Sequence, residues 1–129
     1  MKLKAPTILP PAWAPYTQAL LRIMIGLLFV EHGTVKLFGF PTHPPGSFSA
    51  MLIFEGLMEL VGGLLIVAGF MTRPVAFILS GYMAAAYFIV FAPMSFFPSV
   101  NHGGLSIMYS FVFLYLAAAG PGAWAVDDP

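Results

Sequence analysis

PVAFILSGYMAAAYFIVFAPMSFFPSVNHGGLSIMYSFVFLYLAAAGPGAWAV, residues 74–126, contains no Asp, Glu, Lys or Arg. A run of this length without a formal charge has no polar face to turn toward water, so it reads as membrane-embedded. The proline, asparagine and glycine chemistry of APMSFFPSVNHGG divides it into two apolar spans, 74–92 and 103–119. Upstream, YTQALLRIMIGLLFVEHGTVKLF (16–38) and FSAMLIFEGLMELVGGLLIVAGFM (48–71) are also long enough to span, provided their charges face inward. Composition agrees: 60% of the 129 residues are hydrophobic and only 8% charged, against about 25% charged in soluble domains.

The reading is therefore an all-α membrane protein, a single domain over residues 1–129 built as an up-down-up-down bundle of four transmembrane helices. The linkers GFPTHPPGS and TRP are short, which sets consecutive helices antiparallel. The proline-rich KLKAPTILPPAWAP lacks the apolar core and cleavage site of a signal peptide and reads as an interfacial arm, with Trp13 and Tyr16 at the membrane surface. Lys2, Lys4, Arg22 and Arg73 fall on one side and only Lys36 on the other, which predicts cytoplasmic termini. Arg22 is expected to snorkel to that surface. A net charge of zero offers no basic face for nucleic acid, and the absence of cysteine excludes disulfides, thiolate metal sites and covalent c-type haem.

In this topology the remaining ionisable groups collect near the outer leaflet. Glu31, His32 and Lys36 lie in the outer third of the first helix, Glu55 and Glu59 on one face of the second, and Asn101 and His102 at the mouth of the fourth. Tyr87 and Tyr109 stand near the same level as donors to the carboxylates. Gly62 and Gly63 extend the stripe of Glu55 and Glu59 and permit close helix approach, while Gly81 with Ala85 and Ser80 with Ala84 form small-residue pairs for packing on the third helix. His43 reads as a solvated loop residue. An ionised carboxylate in hydrocarbon costs about 2.5 to 3.5 kcal/mol on insertion scales, so the acids need partners, and Lys36 and His32 are the basic groups placed to offset them. Three acids against one certain cation implies a protonated carboxylate, a charged His32 or a bound cation.

The cluster does not fit a di-iron bundle, which requires Glu-x-x-His pairs. A single zinc or iron on His32, Glu59 and a second histidine is conceivable, and bis-histidine haem fits less well because His102 lies at the rim. Carboxylate, imidazole and phenol at membrane depth are what proton-coupled chemistry of a lipid-soluble quinone requires. Ion pairs that only fix helix register are the structural alternative.

From LLRIMIGLLFVEHGTVKLFGF through EGLMELVGGLLIVAGFMTRPVA to YLAAAGPGAWAVDD, the sequence resembles the DoxX family of small bacterial and archaeal membrane proteins. The HGxxKLFG segment, Glu59 in MELVGG, the Thr72-Arg73-Pro74 turn and the Gly-Pro-Gly-x-Trp ending carry the resemblance. Family members often end in GPGRWSLD, where this chain has Ala123 and Ala125 in place of Arg and Ser. The resemblance implies a four-helix protein of the cell membrane associated with oxidoreductase assemblies, with His32, Gly33, Lys36 and Glu59 at the family-matching positions. The functional expectations are an oxidoreductase-associated subunit with partner subunits or a homo-oligomeric state, a non-catalytic scaffold, or a small transporter of protons or a lipophilic solute.

Overall fold

The computed structural model describes residues 2–129, and the described residues are all-helical with no strand. Helix α1 spans Ala14–Phe38, α2 spans Ala50–Ala68 and α3 spans Thr72–Ala86. A π turn at Tyr87–Phe91 and a 3-10 turn at Ala92–Met94 carry α3 onward, and the short α4, Pro98–Asn101, leads into α5, Gly104–Ala119. The ends follow local chemistry. Ser49 caps α2 by accepting from the Leu52 amide at 3.2 Å, and Gly39 and Gly69 end α1 and α2 at φ 64° and 69°, a left-handed conformation open to glycine.

Two of these helices, Ala50–Ala68 and Thr72–Met94, are long and apolar enough to cross a membrane by length and composition, and Gly104–Ala119 is a shorter apolar helix. Helix α1 has 25 residues but carries Arg22, Glu31 and Lys36. Large apolar side chains such as Leu20, Met24, Phe77, Ile78, Met108 and Phe111 stand outward and exposed, an apolar belt that a water-soluble chain of this size does not present.

Glycines set the first helix pair. A Cβ at Gly33 would lie 2.5 Å from the Leu60 amide nitrogen, and one at Gly63 would lie 2.8 Å from the Val30 nitrogen. The backbones of α1 and α2 therefore touch, running in opposite directions. Serines set the second pair: Ser80 donates to the Ser110 carbonyl at 2.7 Å and Ser110 returns a bond to the Ser80 carbonyl at 2.9 Å, joining α3 and α5 antiparallel. Between the pairs sits a core of Phe29, Ile66, Leu79, Tyr109, Phe113 and Leu116. Gly81 has no neighbour within 4 Å of its would-be Cβ and faces outward, so the expected packing pair of Gly81 and Ala85 is corrected. Ser80, one residue earlier, holds the inward position.

The expectation that Arg22 snorkels to the surface is also overturned. Arg22 is fully buried, with its guanidinium donating to the carbonyls of Pro121, Ala123 (2.9 Å) and Trp124 (2.7 Å). Gln18 donates to the Gly120 carbonyl at 2.7 Å, and Arg73 to those of Ala118 and Ala119. The C-terminal segment then crosses the end of the molecule: Val126 and Asp127 donate backbone bonds to Ala68 and Gly69, and the Asp127 carboxylate accepts from the amides of Met71 (2.8 Å) and Thr72 (2.7 Å). These two amides belong to the open start of α3, whose unpaired N–H groups need acceptors. The Thr72 backbone bond, above all, holds the Asp127 carboxyl below its ordinary range against a smaller burial penalty.

Candidate functional site

At the opposite end from that segment, Gly33 and Gly56 bring α1 against α2 and place Lys36 over Glu55 and Glu59, which share a face four residues apart. Lys36 Nζ lies 2.6 Å from Glu59 Oε2 and 3.2 Å from Glu55 Oε2. Tyr82 on α3 donates its hydroxyl to the same Glu59 oxygen at 2.7 Å. Glu59 is 3% exposed, whereas the side chains of Lys36 and Glu55 keep 25% and 32% exposure. The arrangement is a buried carboxylate with one cationic and one phenolic donor, and a second carboxylate at its rim. With both acids ionised, the three charged groups sum to one negative charge.

Sequence reasoning missed Tyr82, although a signal was present. Counted outward from the turn at 69–71 along two antiparallel helices, Glu59 and Tyr82 stand within one residue of the same height, and Tyr87 is more than a turn beyond. Tyr87 instead accepts from the Asn101 amide at 3.0 Å, and Asn101, 1% exposed, also bonds the Ser95 carbonyl and the Gly103 amide. That network anchors the 92–103 connection. Tyr87 is thereby corrected from a donor to the carboxylates to a loop anchor.

His102 is exposed at a left-handed φ of 63°, and Glu31 is exposed on α1 with no ion pair among the described residues, so neither joins the cluster. His32 is half-buried. Its Nδ1 lies 2.8 Å from the Leu28 carbonyl, to which it can only donate, and its ring meets Tyr109 edge-on at 5.7 Å. Tyr109 is 1% exposed and its hydroxyl has no partner among the described residues. No group of three or more His, Asp or Glu among the described residues is placed to hold a metal ion, and Glu59 has no imidazole beside it.

One opening reaches the cluster at Lys36, and a second lies nearby on the α2–α3 face. A mouth of about 290 Å³, lined by Lys36, Gly39, His43, Pro44 and Phe48, lies on the loop side. An apolar groove of about 370 Å³ runs between α2 and α3, lined by residues that include Phe54, Met58, Val61, Leu65 and Ile78. Phe54 at one end of this groove packs against the Tyr82 ring at 6.5 Å.

The sequence model of the DoxX family matches residues 17–92, more than half of the chain and including Lys36, Glu55, Glu59 and Tyr82. The chain belongs to the DoxX family. It is 42% identical over 123 residues to an uncharacterised protein of Haemophilus influenzae, covering 90% of this chain and 92% of that one. It is 32% identical over 117 residues to the inner membrane protein YqjF of Escherichia coli, covering 82% of this chain and 85% of YqjF. No solved structure matches. With membership in this family, the exposed apolar belt is the lipid-facing surface of an integral membrane protein.

Proposed function

We propose that this DoxX protein is a membrane-embedded subunit of an oxidoreductase assembly, whose Lys36–Glu55–Glu59–Tyr82 cluster binds a quinone-like ligand or passes protons for a partner enzyme. The observation that carries the reading is Glu59, a carboxylate buried at membrane depth and held by side chains that can exchange partners. The apolar groove between α2 and α3, whose Phe54 packs on Tyr82, offers a lipophilic molecule a surface near the cluster, and the mouth at Lys36 gives protons a path from water.

The topology proposed with it is up-down-up-down, with Ala14–Phe38, Ala50–Ala68, Thr72–Met94 and Gly104–Ala119 as the four spans and both termini in the cytoplasm. Lys2, Lys4 and Arg73 support this orientation. The name of the Escherichia coli relative supports a bacterial inner membrane.

Native mass spectrometry from gentle detergent, together with quinone-linked activity in membranes, tests the function. The expected result is a retained lipophilic ligand, or a redox partner chain, that is lost in Glu59→Gln while the variant stays folded. A bare chain whose abundance alone governs activity would sink the proposal. That second outcome belongs to the scaffold reading, favoured by one observation: Glu59 Oε2 is already satisfied within the chain by Lys36 and Tyr82.

A further inference from the structure

APMSFFPSVNHG, residues 92–103, joins α3 to α5 and holds no Asp, Glu, Lys or Arg. Met94, Phe96, Phe97 and Val100 all stand exposed on it, Phe96 at 87%. A loop that meets water seldom gathers large apolar side chains in this way, because each of them costs free energy there.

Helix length fixes how deep the segment lies. Arg73 at the start of α3 donates to the carbonyls of Ala118 and Ala119 at the end of α5, and the Tyr16 and Trp124 rings meet at 5.2 Å on the same end of the molecule. A guanidinium and an aromatic pair at one level mark a membrane–water boundary. From that level the 16 residues of α5 rise about 24 Å, against about 30 Å of hydrocarbon, so α5 begins about 6 Å short of the far boundary. Gly103 lies directly against the end of α3, where a Cβ would come within 2.7 Å of both Tyr87 and Phe91. The connection is therefore folded onto the bundle at hydrocarbon depth.

Its hydrogen bonding has the form that this depth requires. Irregular backbone in hydrocarbon has no water to bond, so its polar groups must be satisfied from within. Pro93 and Pro98 bring no N–H. The amides of Val100 and Asn101 donate to the Phe97 carbonyl, that of His102 to the Pro98 carbonyl and that of Phe97 to the Ser95 hydroxyl. The buried Asn101 side chain donates to the Ser95 carbonyl at 3.0 Å and accepts from the Gly103 amide at 2.7 Å, serving backbone groups that no helix serves. A loop in water has no need of such closure.

We propose that residues 94–100 form a lipid-embedded cap whose Phe96 and Phe97 side chains insert among the acyl chains of the outer leaflet, an inference that rests on the four-span topology proposed above. Residues 94–100 hold no ionisable group, so their exposed face matches hydrocarbon and offers a polar surface little to bond. In this position the cap fills the membrane thickness that α5 does not span.

The chain has no cysteine, so a single introduced cysteine carries a nitroxide at one chosen position. The test labels Phe96→Cys and Val100→Cys in the full chain in lipid nanodiscs, with Asp128→Cys in the exposed tail as the water reference. Power saturation with oxygen, which concentrates in hydrocarbon, and with a water-soluble nickel chelate reads the depth of each label. Oxygen access is expected to exceed nickel access severalfold at positions 96 and 100, with the order reversed at 128. Nickel access at 96 and 100 equal to that at 128 overturns the cap and identifies a loop in water. Shielding of both labels from both reagents also overturns it and identifies a covering protein surface. The topology is read separately, with a membrane-impermeant maleimide on spheroplasts, where His43→Cys should react and Asp128→Cys should not. Any other maleimide pattern overturns the topology and the outer-leaflet cap with it, whereas a failed saturation result beside the expected maleimide pattern overturns the cap alone.

Discussion

Arg22 and Glu59 are both charges buried in a membrane protein, at opposite ends of α1 and its partners, and they are satisfied by different kinds of group. Arg22 is surrounded by the carbonyls of Pro121, Ala123 and Trp124, oxygens fixed by the course of the backbone. Glu59 is held by Lys36 and Tyr82, whose polar ends sit on rotatable side chains, and Lys36 stays partly exposed and shared with Glu55. A charge neutralised by backbone dipoles cannot change partners without moving the chain. A charge neutralised by side chains can. The first end is scaffold and the second has the freedom that exchange of a ligand or proton requires.

The comparison predicts the largest loss at the tail end. Arg22→Met should cost about 3 to 5 kcal/mol, because it orphans several buried carbonyls that only a fork of N–H donors reaches together. Thermal unfolding in detergent checks this, and a melting temperature near wild type would break the assignment of that end as scaffold. Asp127→Asn should cost less, about 1 to 2 kcal/mol, the range of a lost helix cap, since Asn has one acceptor oxygen for the two amides of Met71 and Thr72.

Asp127 also carries a pH signature. Its folded value lies below the unfolded one, so its contribution is complete above the unfolded pKa of about 4 and is lost as pH falls through the folded value. Wild-type stability should therefore drop on acidification below about pH 4 by more than that of Asp127→Asn. Parallel curves for the two proteins would refute the cap.

The asymmetry between the ends also explains what the sequence disclosed. Helical class was legible because long charge-free runs have few other solutions, and family membership followed from motifs such as HGTVKLFG. Lys36 stood out beside Glu55 and Glu59 because opposite charges in an apolar chain have few partners to choose from. Arg22 was misread for the opposite reason. Its acceptors are carbonyls about a hundred positions away, and backbone oxygens leave no mark in a sequence. Tyr82 was hidden by the eye-catching small residue before it: Gly81 suggested a packing face there, whereas that face looks outward. Tyr87 was placed by hydrophobic level alone, which carries no information about the Asn101 side chain that binds it.

At the cluster end the predicted stability effects shrink while those on binding grow. Glu59→Gln should cost only about 1 kcal/mol, since the Gln carbonyl still accepts from Tyr82 and Lys36 keeps Glu55 as its counter-ion. Glu55→Gln should cost least, from about 0 to 0.5 kcal/mol, because the pair it breaks is half-exposed and Lys36 retains its shorter bond to Glu59. This last variant sharpens the comparison most. It removes one of two negative charges near Lys36 without touching the buried donor arrangement around Glu59. If the cluster is a site, Glu55→Gln should weaken its uptake of a proton or ligand, read by calorimetry, at nearly unchanged melting temperature. If the cluster is scaffold like the Arg22 end, the two readouts should move together, because packing would be the only thing the charge supplied.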